Sequence, residues 1–304
     1  MRLALIAFQL AHLVSLDVFC IAFSWCSLVL AEISGQAVEI WQPLVISSSV
    51  WIAYTIDRLN DGRSLDRSRP HWSRHMIHYR YNKFLWTCLA LVFSAVAVVI
   101  QSRASFLQVC VGLSLTVFVG LYFWLHGRGG TDAAELWRPI AVGALFSCGV
   151  CLPSMVTAGS PVRAVLVMFC LGSLFTFNTM TVSWLESGVD HLQSGHGGGS
   201  HRFWKRFVLL AAIIAHLIGL LLVIGVINLS SVFKLTYLGA SLLLALNCVA
   251  FGCLKRDSRV PSRESSFVLQ LINASDATRP EHVGSCFAEA TLWAPAVVAL
   301  CWGV

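Results

Sequence analysis

Trp51-Ile-Ala-Tyr54-Thr-Ile-Asp57-Arg58-Leu-Asn60-Asp61 carries an apolar helix into two carboxylates spaced four residues apart, and a dense basic loop follows. On a helix, side chains four residues apart share a face, with about 6 Å between their Cβ atoms. That separation suits a divalent cation held between two carboxylates. The same spacing recurs far downstream as Glu186-x-x-x-Asp190. The chain between and around the two pairs decides whether they can meet.

Of 304 residues, 57% are hydrophobic and 12% charged, against a charged fraction of about 25% in soluble domains. With a mean hydropathy of +0.75, the chain lacks the polar exterior a soluble fold requires, and it reads as an all-α integral membrane protein. Its formal charge of +6 then belongs to membrane topology, not to nucleic-acid binding. The 11 cysteines are scattered through apolar segments, with no histidines at metal-ligand spacing. Cys148-x-x-Cys151 reads as a pair of small packing residues. Met1-Arg2-Leu3 and the apolar run behind it show no small-x-small cleavage signal before the polar break at Asp17, so they read as an interfacial turn or an extension of the first span, not as a signal peptide.

Apolar runs near the ~20 residues needed to cross a bilayer predict nine spans, over 13–33, 40–61, 83–101, 105–125, 137–158, 162–186, 206–228, 232–254 and 284–303. No repeat or soluble insertion interrupts them, so residues 1–304 form a single domain. Basic loops stay on the cytoplasmic side. With the N-terminus inside, all of the 21 Lys and Arg residues fall on that side except Arg103, Arg163 and Lys234. Spans two and six then run in the same direction, and both acidic pairs end at the cytoplasmic face.

Carboxylates within a span cost about 2.5–3.5 kcal/mol each at the bilayer centre, so they are seldom kept without a partner. One reading ends the helix at Asp57 and Asp61 by pairing them with Arg58, Arg63 or Arg74. The other makes Asp57, Asp61, Glu186 and Asp190 a clamp for Mg²⁺, which takes few protein carboxylates and completes its octahedron with water and phosphate oxygens. Such a clamp suits a diphosphate, whose remaining charge falls to Arg58, Arg63, Arg138, Lys205 and Arg206, either as ligands or as surface bases that set topology.

Nine helices with one acidic motif ending span two and another ending span six resemble the UbiA superfamily of intramembrane prenyltransferases over essentially the whole chain. The nearest likeness is to a divergent bacterial group with a Tyr-x-x-Asp-Arg-Leu-x-Asp signature, here Tyr54 through Asp61, followed by Arg74-His75-Met-Ile-His78-Tyr79-Arg80. Span six reads from Asn178 through Ser183-Trp184-Leu-Glu186 to Asp190, and the last span opens Phe287-Ala288-Glu289. The superfamily's first motif has two further polar positions, here Ala53 and Tyr54, and its second has a further acid, here Val182. Four carboxylates remain, enough for one Mg²⁺. A lysine common near span five corresponds to Arg138.

The resemblance implies a bundle around a central cavity, in a bacterial inner membrane, with its active site facing the cytoplasm. The implied activity is Mg²⁺-dependent transfer of a prenyl group from an isoprenyl diphosphate to a lipophilic or aromatic acceptor, or cyclisation of the diphosphate without an acceptor. Tyr54, Arg58, Arg138, Asn178, Lys205 and Glu289 would contact substrate. Aromatic residues on the motif helices, Trp51, Tyr54, Phe175, Phe177 and Trp184, would face an allylic cation or serve as ordinary packing. A non-enzymatic descendant that binds lipid is a second class. A CDP-alcohol phosphotransferase is a third, but its acids lie in one compact motif, whereas these pairs are more than 120 residues apart. Asp17 and Glu289 read as interhelical hydrogen-bond partners or substrate-positioning acids. His12 and His216 read as isolated structural residues. The stretch from His191 to His201, with Gly197-Gly-Gly199, reads as a loop.

Overall fold

The computed structural model describes residues 15–34, 38–63, 78–126, 132–157, 160–194, 199–226 and 228–254, together with Leu292. Helix is the only regular structure among the described residues. The helices are α1 (Leu16–Ser34), α2 (Trp41–Arg63), α3 (Asn82–Arg103), α4 (Phe106–His126), α5 (Asp132–Thr157), α6 (Pro161–Ser194), α7 (Gly199–Leu221) and α8 (Ser231–Leu254), with a π turn over Leu222–Val226 closing α7.

These eight helices coincide with the first eight predicted spans. Six contain a stretch long and apolar enough to cross a membrane: α1, α3, α4, α5, α6 and α7. In α8 the apolar stretch is the shorter Ser231–Leu246. Helix α2 has the length but not the apolarity, because Ser47, Ser48 and Ser49 lie in its first half and Asp57, Arg58, Asp61 and Arg63 in its second. The ninth predicted span, 284–303, lies outside the described residues apart from Leu292, as does His12.

Helices α1, α5 and α6 pack on one another at the centre. Around them, α2 packs on α1 and α5, α3 on α2, α4 on α5, and α7 and α8 on α6. Lipid tails are as apolar as leucine side chains, so helices associate in a bilayer through close packing and hydrogen bonds. Both devices are present. A Cβ added to Gly143 of α5 would lie 2.2 Å from Thr176 Oγ1 and 2.6 Å from the Thr176 amide nitrogen on α6. Four residues further along, Gly172 of α6 faces Ser147 of α5, with its Cβ position 3.0 Å from Ser147 Oγ. At the centre, fully buried Trp25 makes edge-on contacts with Phe175 and Phe233, and its indole N–H donates to the Leu292 carbonyl at 2.8 Å. Cys151 is fully buried and Cys148 lies 3.6 Å from the Met168 sulfur, so this pair packs the interior.

Helix starts at one end of the bundle are capped by serines. At α4, Ser105 and Gln108 exchange hydrogen bonds in a capping box: the Ser105 amide donates to Gln108 Oε1 and the Gln108 amide to Ser105 Oγ. At α6, Ser160 precedes Pro161 and accepts from the Arg163 amide. At α8, Ser230 Oγ accepts from the Phe233 amide, but position N3 is a phenylalanine and cannot reach back. Glu32 of α1 takes that role from another helix. It accepts from the Ser230 amide at 3.0 Å, from the Ser230 hydroxyl, and from Arg163 Nη2 of α6 at 2.5 Å. Its side chain is only 5% exposed.

One carboxylate therefore ties three helices together. Charge-assisted hydrogen bonds of this kind contribute about 1.5–3 kcal/mol. Glu32→Ala is expected to lower the thermal unfolding midpoint of the detergent-solubilised protein. Arg163→Ala added to it should cost much less than it does alone; additive losses would show that the three groups do not act together.

Candidate functional site

The polar positions of α2 recur as Tyr54, Asp57, Arg58 and Asp61, a spacing that gathers them along one flank of the helix. The other flank packs Trp51 and Leu59 against Leu85 and Leu89 of α3, with Phe19 of α1 alongside. Asp57 is turned toward α4 and α5. Its Oδ2 accepts from Arg138 Nη2 of α5 at 2.6 Å, and its Oδ1 lies 3.4 Å from the Tyr122 hydroxyl of α4. The side chains of Asp57 and Arg138 are 17% and 35% exposed.

The Arg63 side chain and all of Arg74 lie outside the described residues, and the ionic partner of Asp57 among the described ones is Arg138, not Arg58. It comes from a helix 81 residues further along, and the pair bridges two helices where a local contact would merely have ended one. Arg58 instead folds back on its own helix. Its Nη2 donates to the Tyr54 hydroxyl at 2.6 Å, and its guanidinium carbon lies 4.7 Å from the Tyr54 ring centroid.

Asn178 of α6 is 7% exposed, and its Oδ1 has no hydrogen-bond partner among the described residues. A buried carboxamide oxygen left unpaired costs about 1–3 kcal/mol, so this acceptor is one that a donor or a cation could satisfy. Helices α5 and α6 are antiparallel, and Gly143–Thr176 and Ser147–Gly172 give one continuous register. Extended by little more than one turn, that register sets Arg138 level with position 181. Asn178 therefore lies within about 5 Å, along the helix axis, of the Asp57–Arg138 pair.

Glu186 and Asp190 lie on the same helix α6, about 8 and 14 Å beyond the level of Arg138, and Asp61 lies about 6 Å beyond Asp57. The side chains of Asp61, Glu186, Asp190 and Lys205 are outside the described residues, and so is all of Glu289. Among the described residues no three His, Cys, Asp or Glu side chains converge. The Asp57 carboxylate and Asn178 Oδ1 nonetheless supply hard oxygen donors of the kind Mg²⁺ takes, so the described part of the donor set fits that ion in kind. Asp17 of α1 is buried, and its Oδ1 accepts from the Val18 amide. Contact of Phe19 with the Trp51 cluster sets Asp17 near the level of Asp57.

The aromatic residues of the motif helices are packed. Phe175 contacts Trp25 and Phe146, Phe177 stacks on His216, and Trp51 is buried against α3. The side chain of Trp184 lies outside the described residues. His216 is not isolated: besides Phe177 it meets the Tyr237 hydroxyl at 3.4 Å through Nδ1, and that hydroxyl donates to the Cys170 carbonyl at 3.0 Å. This network joins α6, α7 and α8. The stretch His191–His201 is not a single loop either. Residues 191–194 continue α6, residues 199–201 open α7, and 195–198 are outside the described residues.

Comparison with models of known families, with curated proteins and with solved structures finds no match to this chain. Its chemistry is therefore argued from its own residues. Sequence reading missed two polar side chains, Tyr122 at the candidate site and Glu32 as an interhelical tie. The signal for both was a polar group inside an otherwise apolar span, which in lipid implies a partner.

Proposed function

We propose that this chain is a nine-span intramembrane enzyme of the UbiA type that transfers a prenyl group from an isoprenyl diphosphate to a lipophilic or aromatic acceptor. The observation that carries the reading is the half-buried Asp57 carboxylate, held by Arg138 and Tyr122 from two other helices at the level of the unpaired Asn178 oxygen. In this reading that end of the bundle faces the cytoplasm of a bacterial inner membrane.

Asp57 and Asp61 would hold Mg²⁺ together with Glu186 and Asp190. When bound, the ion supplies Lewis-acid stabilisation of charge on the departing diphosphate. Arg138 and Lys205 bind phosphate oxygens, and Arg58 is kept near them by Tyr54. Asn178 accepts a hydrogen bond from substrate or joins the ion's donor set, and Glu289 positions the acceptor. The allylic carbon–oxygen bond breaks with its electron pair leaving on the diphosphate. The acceptor then forms the new bond to that carbon and gives up a proton.

The test is release of diphosphate by the purified protein from short- and long-chain isoprenyl diphosphates, with and without Mg²⁺. Release is expected to depend on Mg²⁺ and to be lost in Asp190→Asn. Full release by that variant would sink the reading. A second reading, a non-enzymatic lipid-binding protein on the same fold, is favoured by the tight packing of Trp51, Phe175 and Phe177, which leaves those rings to the core. Absence of Mg²⁺-dependent diphosphate binding in calorimetry would select it.

A further inference from the structure

Asp57 and Arg138 are each required by the proposed function, one for a cation and the other for a phosphate, yet in the structure they hold each other. The 2.6 Å contact between Asp57 Oδ2 and Arg138 Nη2 occupies one of the two carboxylate oxygens a cation could use, and the Tyr122 hydroxyl lies against the other. A divalent ion coordinates a carboxylate oxygen at about 2.1 Å. It cannot share that oxygen with a guanidinium without placing two positive centres side by side. The phosphate role of Arg138 meets the same obstacle, because one arm of its planar donor fork is engaged by Asp57.

We propose that Arg138 and the metal ion compete for Asp57, so that the guanidinium guards the carboxylate until a diphosphate draws it away. The inference rests on the function proposed above. A diphosphate is the better partner for the guanidinium. It carries more charge than one carboxylate and offers paired oxygens that match the planar fork of donors. Arg138 is the more exposed member of the pair. The Tyr122 hydroxyl, on the other carboxylate oxygen, keeps Asp57 aimed when the arginine departs. Metal and diphosphate therefore bind as a linked pair, each raising the affinity for the other by the same factor. The Asp57 carboxylate keeps a cationic partner in either state.

The competition has a signature that an ordinary binding arginine lacks, since removing the cation should tighten metal binding. The full-length protein in lipid nanodiscs is titrated with Mn²⁺ alone, followed by electron paramagnetic resonance, and with radiolabelled pyrophosphate at fixed free Mn²⁺. Arg138→Gln is expected to bind Mn²⁺ alone about tenfold more tightly than the natural protein, within the usual range of coupling between linked sites, and to bind pyrophosphate more weakly. Adding Asp57→Asn should abolish the gain. Arg138→Lys, which keeps the charge but loses the fork, should show a smaller gain and serves if the glutamine variant does not fold.

Unchanged or weakened Mn²⁺ binding in the Arg138 variants, with binding intact in the natural protein, overturns the competition and leaves the proposed function standing. A gain that survives Asp57→Asn also overturns it. Failure of the natural protein to bind Mn²⁺ or pyrophosphate under any of these conditions overturns both.

Discussion

Replacing Gly143 with valine is expected to produce the largest loss of stability of any single substitution considered for this protein. The Cβ of any other residue would lie 2.2 Å from Thr176 Oγ1, 2.6 Å from its amide nitrogen and 2.8 Å from its Cα. The hydroxyl can rotate away, but the other two atoms are backbone of α6 and move only with the helix. Helices α5 and α6 would have to separate by roughly 1 Å along the central contact of the bundle. Overpacking of this kind costs about 1–3 kcal/mol, with alanine at the low end and valine beyond it. The damage reaches the candidate site as well, because Arg138 precedes Gly143 by five residues and Asn178 follows Thr176 by two. Thermal unfolding in detergent should show a lower midpoint for Gly143→Ala and little folded protein for Gly143→Val. Gly112→Ala and Gly120→Ala on α4, where nothing lies within 4 Å of the added carbon, should leave the midpoint unchanged. An unchanged midpoint for Gly143→Val would refute the close approach of α5 and α6.

Under the proposed function, Asp57→Asn is expected to lower Mg²⁺-dependent diphosphate release by about 10²-fold or more, as loss of a charge-stabilising group commonly does, an effect matched only by Asp190→Asn. It also removes the carboxylate charge from Arg138. Part of any loss is therefore structural, about 1.5–3 kcal/mol for a charge-assisted hydrogen bond. The double variant Asp57→Asn with Arg138→Gln separates the two effects. A neutral pair leaves no uncompensated charge at the membrane edge, so the double variant should recover stability. It should not recover turnover, because the carboxylate proposed to hold the metal is still missing. If the double variant regained both, Asp57 would be a structural half of an ion pair and nothing more.

Hydropathy placed the helices well where the chain is apolar and less well where it is not. The predicted span 162–186 is α6, Pro161–Ser194, and the predicted start at 206 is Gly199 in α7. The polar residues around Glu186–Ser194 and Gly199–Lys205 add nothing to an apolar run. A helix supplies its own backbone hydrogen bonds, however, and continues past the bilayer core. Hydropathy alone also misjudges α2, whose serines and charges lower its apolarity although it packs on α1 and α5. His216 looked isolated because its partners, Phe177 and Tyr237, are 39 and 21 residues away along the chain and meet it only through packing.

From the sequence alone came the class of protein, the helical segments, and the two acidic pairs at four-residue spacing, because each depends on local composition or on the 3.6-residue period of a single helix. Pairing between helices is another matter. Arg138 meets Asp57 from a distant helix, Tyr122 joins them, Asn178 has an oxygen unpaired among the described residues, and Glu32 helps cap a helix through Ser230, 198 residues later. Each of these depends on which helix lies beside which and at what register. The close contacts at Gly143, Gly172 and Gly219 are part of what sets that register, and they exist only once the helices have come together.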